Sequence, residues 1–395
     1  MLAWLEQNAK PLVSEDAPPI GVIREVTDQT DLEAFRDWCR LKQSGGMAGL
    51  NWPTEYGGQG LTFQHLVVWN SLVHDFDVPE DACIVGAAMA GPIILRSGDD
   101  AQREQYLPKI LSGEHIWCQL FSEPGAGSDL AGLRTRAEAT AQGWVISGQK
   151  VWSSVAQFAD WGLLLARTDP SAPKHKGITC FVINMRSPGV TVRPIRQMNH
   201  GAGFNEVFLE NVLLPGSAVV GKVNEGWRVA LETLNEERKL LGGRQGVNFL
   251  KLVDLARHIR LGGEPAIDIP SHRAGLVALF IRLEALRALN AQARAAVAAD
   301  SPPDVRLPVA KLVTSAAMND AGKLALDIQG PSGALAGEDA PQEGSWQLAF
   351  LGAPARRIAG GADEIQRNII AERFLGMPAE PRVDKALPFG QKPAT

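Results

Sequence analysis

Cysteine is scarce in this chain of 395 residues. The four cysteines are scattered and show no CxxC spacing, so neither a zinc site nor a disulfide framework is indicated: Cys39, Cys83, Cys118 and Cys180. This usage favours reduced thiols and a cytoplasmic location. The opening residues 1–6 lack the basic and long apolar segments of a secretory signal, so we expect none there.

Excess positive charge and long apolar runs are also missing. With 39 basic and 44 acidic residues, the formal net charge is −5, which gives no support to nucleic-acid binding. The longest apolar stretches, such as residues 161–166, fall far short of the ~20 residues that a membrane helix needs. The sequence therefore predicts no nucleic-acid partner and no membrane span. A polyanionic ligand would have to be met by local Arg or Lys side chains.

The hydrophobic pattern divides the chain into three segments and a tail. Apolar residues recur at helical spacing over residues 1–115 and again over 223–378. Between them, residues 116–222 alternate short β-prone runs with glycine-containing breaks, which is typical of an antiparallel sandwich or barrel. The Pro- and Lys-containing tail, residues 379–395, is expected to be loose. The prediction is an α+β protein with an N-terminal helical domain, a central β domain and a C-terminal helical bundle.

The same pattern places individual elements. Helices are expected at residues 31–42, 65–74, 79–97, 102–111, 226–256, 308–326 and 364–374, and strands at 144–146, 161–166, 178–183, 190–195 and 206–209. A break is expected in the long helical segment at Gly242-Gly243, because glycine is a poor helix former.

Residues 117–130, with the sequence WCQLFSEPGAGSDL, form the most informative stretch. We expect a loop here rather than regular helix or strand, because Pro124 has no N–H donor and Gly125 and Gly127 have no Cβ. Such a loop brings backbone N–H groups and a hydroxyl close to a ligand, typically a phosphate or a flat polar ring. An ordinary glycine-rich surface turn is the alternative.

The loop wording SEPGAGSD at residues 122–129 resembles a signature of the acyl-CoA dehydrogenase flavoprotein family. Two further motifs resemble that family and follow in its order, KVWSS at 150–154 and GGADEIQRNIIAER at 360–373. Together the motifs and the helix–strand–helix order cover nearly the whole chain. The motif Gln119-x-Phe-Ser-Glu-Pro is similar to the one found in a bacterial subset of the family. The members of this subset, the steroid side-chain and pimeloyl-CoA types, are built from two different subunits.

The resemblance implies FAD-dependent dehydrogenation of an acyl-CoA thioester. A glutamate would take a proton from the carbon alpha to the thioester, and FAD would accept a hydride from the beta carbon. The implied partners are an electron-transfer flavoprotein or similar acceptor and further subunits, in a homo- or hetero-oligomer arranged as a dimer of dimers. Two alternatives stay open: a non-catalytic or half-site partner subunit of a heteromeric enzyme, and a flavin oxidase or monooxygenase of the same fold.

The resemblance also implies which residues hold FAD. The expected contacts lie in the first two motifs: Gln119, Leu120, Phe121, Ser122, Gly127, Ser128, Trp152, Ser153 and Ser154. Ser128 would reach either the pyrophosphate or the bound thioester substrate. For Trp152, a core aromatic of the β domain is the alternative.

The adenosine half of FAD is expected at a contact between subunits. Arg273 matches a family arginine that reaches the neighbour's pyrophosphate, with an exposed charge at a helix start as the alternative. Gly361 lies in the third motif and is expected to contact the cofactor. Two departures weaken this half-site, since Leu276 stands where the family usually has Phe and Ala362 where it usually has Thr.

The catalytic base is expected at Glu237. Many family members carry the base in the third motif, where this chain has Gly360 and therefore no carboxylate. A subset carries it on the first C-terminal helix directly before an arginine, and Glu237-Arg238 matches that position. We expect Arg238 to turn towards the substrate or the domain contact. Glu236 is the alternative if the register is off by one, because helical neighbours point ~100° apart. A solvated charge run over residues 236–239 is the remaining interpretation.

Assembly is the first testable expectation. If Arg273 acts on a neighbouring subunit's cofactor, the folded unit must be at least a dimer. We expect sedimentation velocity, recorded at a flavin wavelength, to give a dimer or a larger species. A flavin-loaded monomer would contradict this expectation.

Overall fold

The computed structural model of the chain describes residues 1–13, 17–21, 26–80, 83–240, 246–298, 305–381 and 386–391, without the side chains of residues 237–240, 294 and 297–298. The α-helices are α1 (Leu2–Asn8), α2 (Gln29–Ser44), α3 (Phe63–Leu72), α4 (Gly91–Ser97), α5 (Asp100–Leu111), α6 (Gly226–Leu240), α7 (Phe249–His258), α8 (Pro270–Ala298), α9 (Arg306–Gln329), α10 (Ser345–Ile358) and α11 (Asp363–Ile369). The strands are β1 (Lys10–Pro11), β2 (Phe76–Asp77), β3 (Trp117–Leu120), β4 (Arg136–Thr140), β5 (Gly143–Ser154), β6 (Trp161–Arg167), β7 (Ile178–Asn184), β8 (Val190–Ile195), β9 (Phe204–Leu214), β10 (Val219–Val220), β11 (Arg260–Leu261) and β12 (Glu264–Pro265). The order of helices, strands and helices confirms the predicted α+β class.

The chain forms two compact units. Unit 1 comprises Met1–Ile23, Val67–Asp77 and Leu241–Ala379, and unit 2 comprises Arg24–Leu66, Val78–Leu240 and Glu380–Thr395. The division into three sequence domains stays a prediction. No helix within the described residues is both long and apolar enough to span a membrane.

Side-chain caps extend two helices beyond their predicted bounds. The helix expected over 31–42 begins at residue 29, because Asp28 accepts a hydrogen bond from the N–H of Asp31. In α5, Asp99 and Gln102 form a reciprocal capping box. The helix expected over 79–97 differs more: a π-helical stretch, Gly86–Ala90, precedes α4. The expected break at Gly242-Gly243 lies outside the described residues.

Unit 2 is built on one eight-stranded sheet with the order β10-β7-β6-β4-β5-β9-β8, in which β3 also pairs with β6. Most neighbouring strands are antiparallel, as predicted. There are two exceptions. Strand β3 runs parallel to β6, and β4 pairs with β6 in parallel at Arg136 and Arg167. Strands β3, β4 and β10 have no counterpart in the sequence prediction, and the expectation of a loop was wrong for residues 117–120, which form β3.

Helices cover both faces of this sheet. Leu163 and Leu165 of β6 share a core with residues of α4 and α5, while Leu164 and Ala166 share another with residues of α2. Successive side chains of a strand point to opposite faces. Burial of both faces explains why β6 and β7 read as continuous apolar runs rather than as alternating ones.

Unit 1 is organised around α9. Ala317, Ala321 and Ala325 recur every four residues on its buried face, where small side chains let α8 and α10 pack closely. At Gly322, an added Cβ would lie 3.0 Å from the Cα of Phe350 in α10. The predicted helix over 308–326 therefore packs as one long central element.

The tail, expected to be loose, makes contacts within unit 2 over residues 386–391. The N–H of Phe389 donates to the carbonyl of Ala172 at 2.9 Å. The guanidinium of Arg167 lies 3.6 Å from the centre of the Phe389 ring. These contacts hold Phe389 against unit 2, and a sequence pattern does not reveal such distant partners.

The four thiols are unpaired and buried. Burial raises the pKa of Cys39 to about 11 and that of Cys83 to about 12, and it also raises the pKa values of Cys118 and Cys180.

Because the thiolate is the reactive form, we expect a disulfide reagent such as DTNB to modify none of the thiols in the native protein at neutral pH. After denaturation it should titrate all four. Rapid reaction of a native thiol would contradict the burial.

Candidate active site

The segment between β3 and β4, residues 121–135, is here named the active-site loop. It contains a tight turn in which the N–H of Glu123 donates to the carbonyl of Ala126 at 3.1 Å and the N–H of Ala126 donates back at 3.0 Å. Pro124 and Gly125 occupy the exposed tip of this turn. A Cβ added at Gly125 or Gly127 would meet nothing within 4 Å, so open space adjoins the backbone here.

A bulge in β5 presents Trp152. The pairing of β5 with β9 shifts by one residue between Lys150 and Ser153, and Trp152 has a positive φ of 61°. Bulges of this kind turn a side chain out of its regular direction and are frequent beside active sites. The indole is 58% exposed and contacts the ring of Phe204 edge-on. The alternative prediction for Trp152, a core aromatic of the β domain, is therefore wrong.

The structure brings the first two motifs together. The N–H of Val151 donates to the carbonyl of Ser122 at 2.9 Å, which joins the bulge to the start of the active-site loop. Ser122 and Ser154 are half-buried, whereas Gly127 and Ser128 are exposed. The two motifs therefore form one continuous surface in unit 2.

Burial limits how some predicted residues can contact a ligand. The side chains of Leu120 and Phe121 lie in the hydrophobic cores, which leaves only their backbone groups for a ligand, while Gln119 is half-buried. Ser153 is also buried, and its carbonyl accepts from Asn205 at 2.9 Å.

A buried ion pair holds the loop from behind. The ammonium group of Lys150, fully buried, donates to Glu123 at 2.8 Å and to the carbonyl of Phe121 at 3.0 Å. Glu123 also accepts from the N–H groups of Arg134 and Thr135, at 2.6 and 2.8 Å. Sequence reasoning did not assign these two residues a role. One feature of the sequence could have indicated the pair: Lys150 lies four residues after the apolar Ile146, so both fall on the same face of the strand.

The ion pair shifts the pKa values of both partners. Burial alone would raise the pKa of Glu123, but the charge and hydrogen bond of Lys150 outweigh it and lower that pKa. Burial lowers the pKa of Lys150 to about 8, although Glu123 opposes the shift. The attraction between the two groups thus opposes the cost of burial at both residues.

Arg167 fixes the far side of the loop. Its guanidinium donates to the carbonyls of Ala131 and Leu133 at 2.6 and 3.2 Å. Nearby, the ammonium group of Lys174 lies 3.1 Å from the carboxylate of Asp129. The residues that follow Ser128 are thus held in place by side chains of β6 and of the segment after it.

The helix that carries the predicted base is α6. On one of its faces, Glu232 and Glu236 approach Arg96 of α4, at 3.7 and 3.0 Å. Glu237 and Arg238 belong to α6, but their side chains lie outside the described part of the chain. Glu236 is thus paired with an arginine of α4.

The two remaining predicted residues lie in unit 1. Arg273, in the first turn of α8, is exposed and pairs with Asp268 at 2.9 Å. One and two turns further along the same helix, Val277 and Ile281 are 52% and 63% exposed. Exposed apolar side chains in such a row are typical of an interaction surface.

Gly361 lies in the turn before α11. Its φ of 92° is one that glycine adopts without strain, and the side chain of Gln366 donates to the carbonyl of Gly360 at 2.9 Å. Below the turn, buried Asp363 accepts from Lys311 and Arg357 at 3.2 and 2.7 Å. The third motif therefore builds a rigid turn in which residue 360 supplies no acidic group.

Three family models account for nearly the whole chain. The acyl-CoA dehydrogenase N-terminal domain matches residues 5–114, the middle domain residues 118–212 and the C-terminal domain residues 224–375. The chain therefore belongs to the acyl-CoA dehydrogenase family and is an oxidoreductase of that class. This confirms the resemblance carried by the three motifs.

Individual relatives agree with the family. The chain is 36% identical over 385 residues to acyl-CoA dehydrogenase IpdE1 of Mycobacterium tuberculosis. The matched region covers 95% of this chain and 96% of that protein. The solved structure of the Tcur3481-Tcur3483 steroid ACAD is similar with a TM-score of 0.80 and 29% identity, covering 96% and 95% of the two chains. The ChsE4-ChsE5 complex from Mycobacterium tuberculosis is similar with a TM-score of 0.75 and 25% identity, covering 89% of this chain and 93% of that one.

The residues present fit the flavin on which this family depends. A flat ring system needs an apolar face to cover it and polar groups at its edge. The exposed indole of Trp152 supplies such a face, and half-buried Ser122 and Ser154 supply hydroxyl groups in adjoining segments. The open space beside Gly125 and Gly127 leaves room for a ligand to approach the backbone.

The ion pair predicts a pH-dependent stability. Glu123→Gln leaves the ammonium group of Lys150 buried without its counter-charge, and loss of one partner of a buried pair costs about 3–5 kcal/mol. The pKa of Glu123 is lower in the folded chain than its ordinary value of 4.5, so its stabilisation is complete above that value and is lost as the pH falls through the folded-state pKa. We expect urea unfolding to show the full difference between wild type and variant at pH 7 and a shrinking difference below pH 4.5. A difference that is the same at every pH would contradict this account.

Proposed function

We propose that this chain catalyses the FAD-dependent α,β-dehydrogenation of an acyl-CoA thioester. The observation that carries the proposal is the exposed indole of Trp152, turned outward by a bulge and joined to Ser122 through the neighbouring Val151. A tryptophan held at positive φ stores backbone strain, and residues strained in this way cluster at active and ligand-binding sites. Membership of a flavin-dependent family makes a flavin ring the ligand of choice.

The proposed cofactor contacts follow from this arrangement. Backbone groups of residues 119–121, with the hydroxyl groups of Ser122 and Ser154, would orient the ring, and Trp152 would cover it. Gly127 and Ser128 would approach the pyrophosphate or the thioester, and Arg273 and Gly361 would serve the adenosine half at a subunit contact. When bound, FAD would supply the acceptor for the hydride from the beta carbon.

We infer that Glu237 takes the alpha proton. Two observations support this choice over other carboxylates: residue 360 is glycine, and Glu236 is engaged by Arg96 at 3.0 Å. A base of this kind works when its carboxylate reaches the alpha carbon within about 3–3.5 Å in the reactive complex. We propose that Arg238 faces the substrate, where its charge would not lower the basicity of Glu237 by pairing with it.

The proposed substrate is a CoA thioester of steroid degradation. The proposed assembly is a homo- or heteromeric dimer of dimers. It would pass electrons to an electron-transfer flavoprotein. Support comes from two similar proteins of known structure, a steroid ACAD and the ChsE4-ChsE5 complex. The row of exposed apolar side chains at Val277 and Ile281 gives such an assembly a surface to use.

A half-site partner subunit is the second candidate function. Leu276 and Ala362 replace residues that the family usually has near the adenosine, and this favours a chain whose own FAD site is incomplete. A monooxygenase would need no base for the alpha proton, so an essential Glu237 would exclude that alternative. An oxidase would still need the base, because it differs only in passing the electrons to oxygen.

Titration with acyl-CoA thioesters tests the proposed function. We expect the purified protein to show the absorbance of bound oxidised flavin and to lose it on mixing with its substrate from a panel of steroid-derived and straight-chain acyl-CoAs. A preparation that binds no flavin alone, yet gains flavin and activity with a second subunit, would favour the half-site candidate.

Replacement of the base gives the sharpest prediction. Glu237→Gln keeps the shape of the side chain and removes its basicity, and loss of a general base typically costs ~10²–10⁴ in rate. We expect stopped-flow absorbance to show retained flavin and retained acyl-CoA binding, but flavin reduction slowed by that factor. Glu236→Gln is the matched control and should react at close to the wild-type rate. The reverse result would shift the base by one residue, and two active variants would refute the assignment.

A further inference from the structure

The ion pair of Lys150 and Glu123 does more than satisfy two buried charges. Lysine is almost never fully buried unless it is paired, because removing an ammonium group from water is costly. Here the side chain of Lys150 is fully buried, and one of its hydrogen bonds goes not to the carboxylate but to the carbonyl of Phe121 at 3.0 Å. The lysine thus holds a backbone group at the start of the active-site loop.

The carboxylate ties the other end of the loop to the same point. Glu123 accepts from Lys150 in β5, and from the N–H groups of Arg134 and Thr135 where the loop returns to the sheet. One carboxylate therefore joins both ends of the loop to the strand that carries Trp152. Closing a loop at its two ends removes much of its conformational freedom.

We propose that Lys150 and Glu123 are positioning residues for the cofactor, a clamp that fixes the backbone of residues 121–122 against the bulge of β5. This inference rests on the proposed function, because it takes the flavin as the ligand of that surface. The clamp acts next to the hydrogen bond from Val151 to Ser122, so it sets the spacing between the serine and the exposed indole of Trp152. A loop already held in the binding geometry loses less conformational freedom when the ligand binds.

Stability alone does not explain the choice of a charged pair. A well-packed apolar pair of similar volume is often as stable as a buried ion pair or more so. What an apolar pair lacks is directional hydrogen bonding to the carbonyl of Phe121 and to two N–H groups of the returning chain. Those bonds define a single loop position, which is what a ligand-binding surface requires.

The test compares Lys150→Met with a matched control in the full-length protein. The control is Lys42→Met, which breaks the ion pair of Lys42 with Glu80, 2.8 Å long and partly buried elsewhere in unit 2. Glu123→Gln is the second loop variant. The first readout is hydrogen exchange of flavin-free protein, which needs no cofactor.

We expect Lys150→Met and Glu123→Gln to raise exchange at residues 121–135 and at Val151, and Lys42→Met to leave those amides unchanged. Exchange raised evenly over unit 2 in the loop variants, or unchanged at the loop, would overturn the clamp. The second readout is the dissociation constant for FAD, with the visible circular dichroism of the bound flavin. We expect Lys150→Met to weaken FAD binding by ~10-fold or more and to change the dichroism, while Lys42→Met keeps both at wild-type values.

The two readouts separate the clamp from the proposed function. If the loop variants loosen the loop but bind FAD with wild-type affinity and dichroism, the positioning role is refuted while the proposed activity stands. If the wild-type protein binds no FAD, the proposed function fails, and wild-type-like exchange in Lys150→Met would independently refute the clamp.

Discussion

The cost of burying an ammonium group is the constraint on which the active-site region depends. Lys150 has no contact with solvent, so its charge must be met by Glu123 and by the carbonyl of Phe121. The same carboxylate must then stay close to the N–H groups of residues 134 and 135. A loop rich in glycine, which would otherwise sample many conformations, is reduced to one position by the need to satisfy these groups.

The neighbouring bulge in β5 is also fixed by its surroundings. One extra residue in the strand places Trp152 at a positive φ and leaves its indole 58% exposed, while Val151 and Ser153 on either side remain buried. Strain and exposure are tolerated because the surrounding strands over-determine the backbone. The clamp and the bulge together make a rigid surface from two segments that are distant in the sequence.

Unit 1 contributes a different kind of surface. Its core is a tight packing of α8, α9 and α10 around alanine positions, and the outward face of α8 carries Arg273 with exposed apolar side chains beyond it. The third motif forms a rigid turn at Gly360 and Gly361, held by Gln366. The turn of the third motif is thus present without an acidic residue at position 360, which supports our proposal of a base on α6.

Sequence alone determined the α+β class, most of the longer elements and the family, because hydrophobic period and motif wording are local properties. Helices 29–44 and 306–329 and strand 190–195 lie close to their predicted bounds. Tertiary structure decided what local patterns do not encode. It showed that Leu120 and Phe121 turn into the cores, that Trp152 faces outward and that Phe389 of the tail meets Arg167. Each depends on a partner far along the chain, as does the pairing of Lys150 with Glu123, and only the folded sheet brings such partners together.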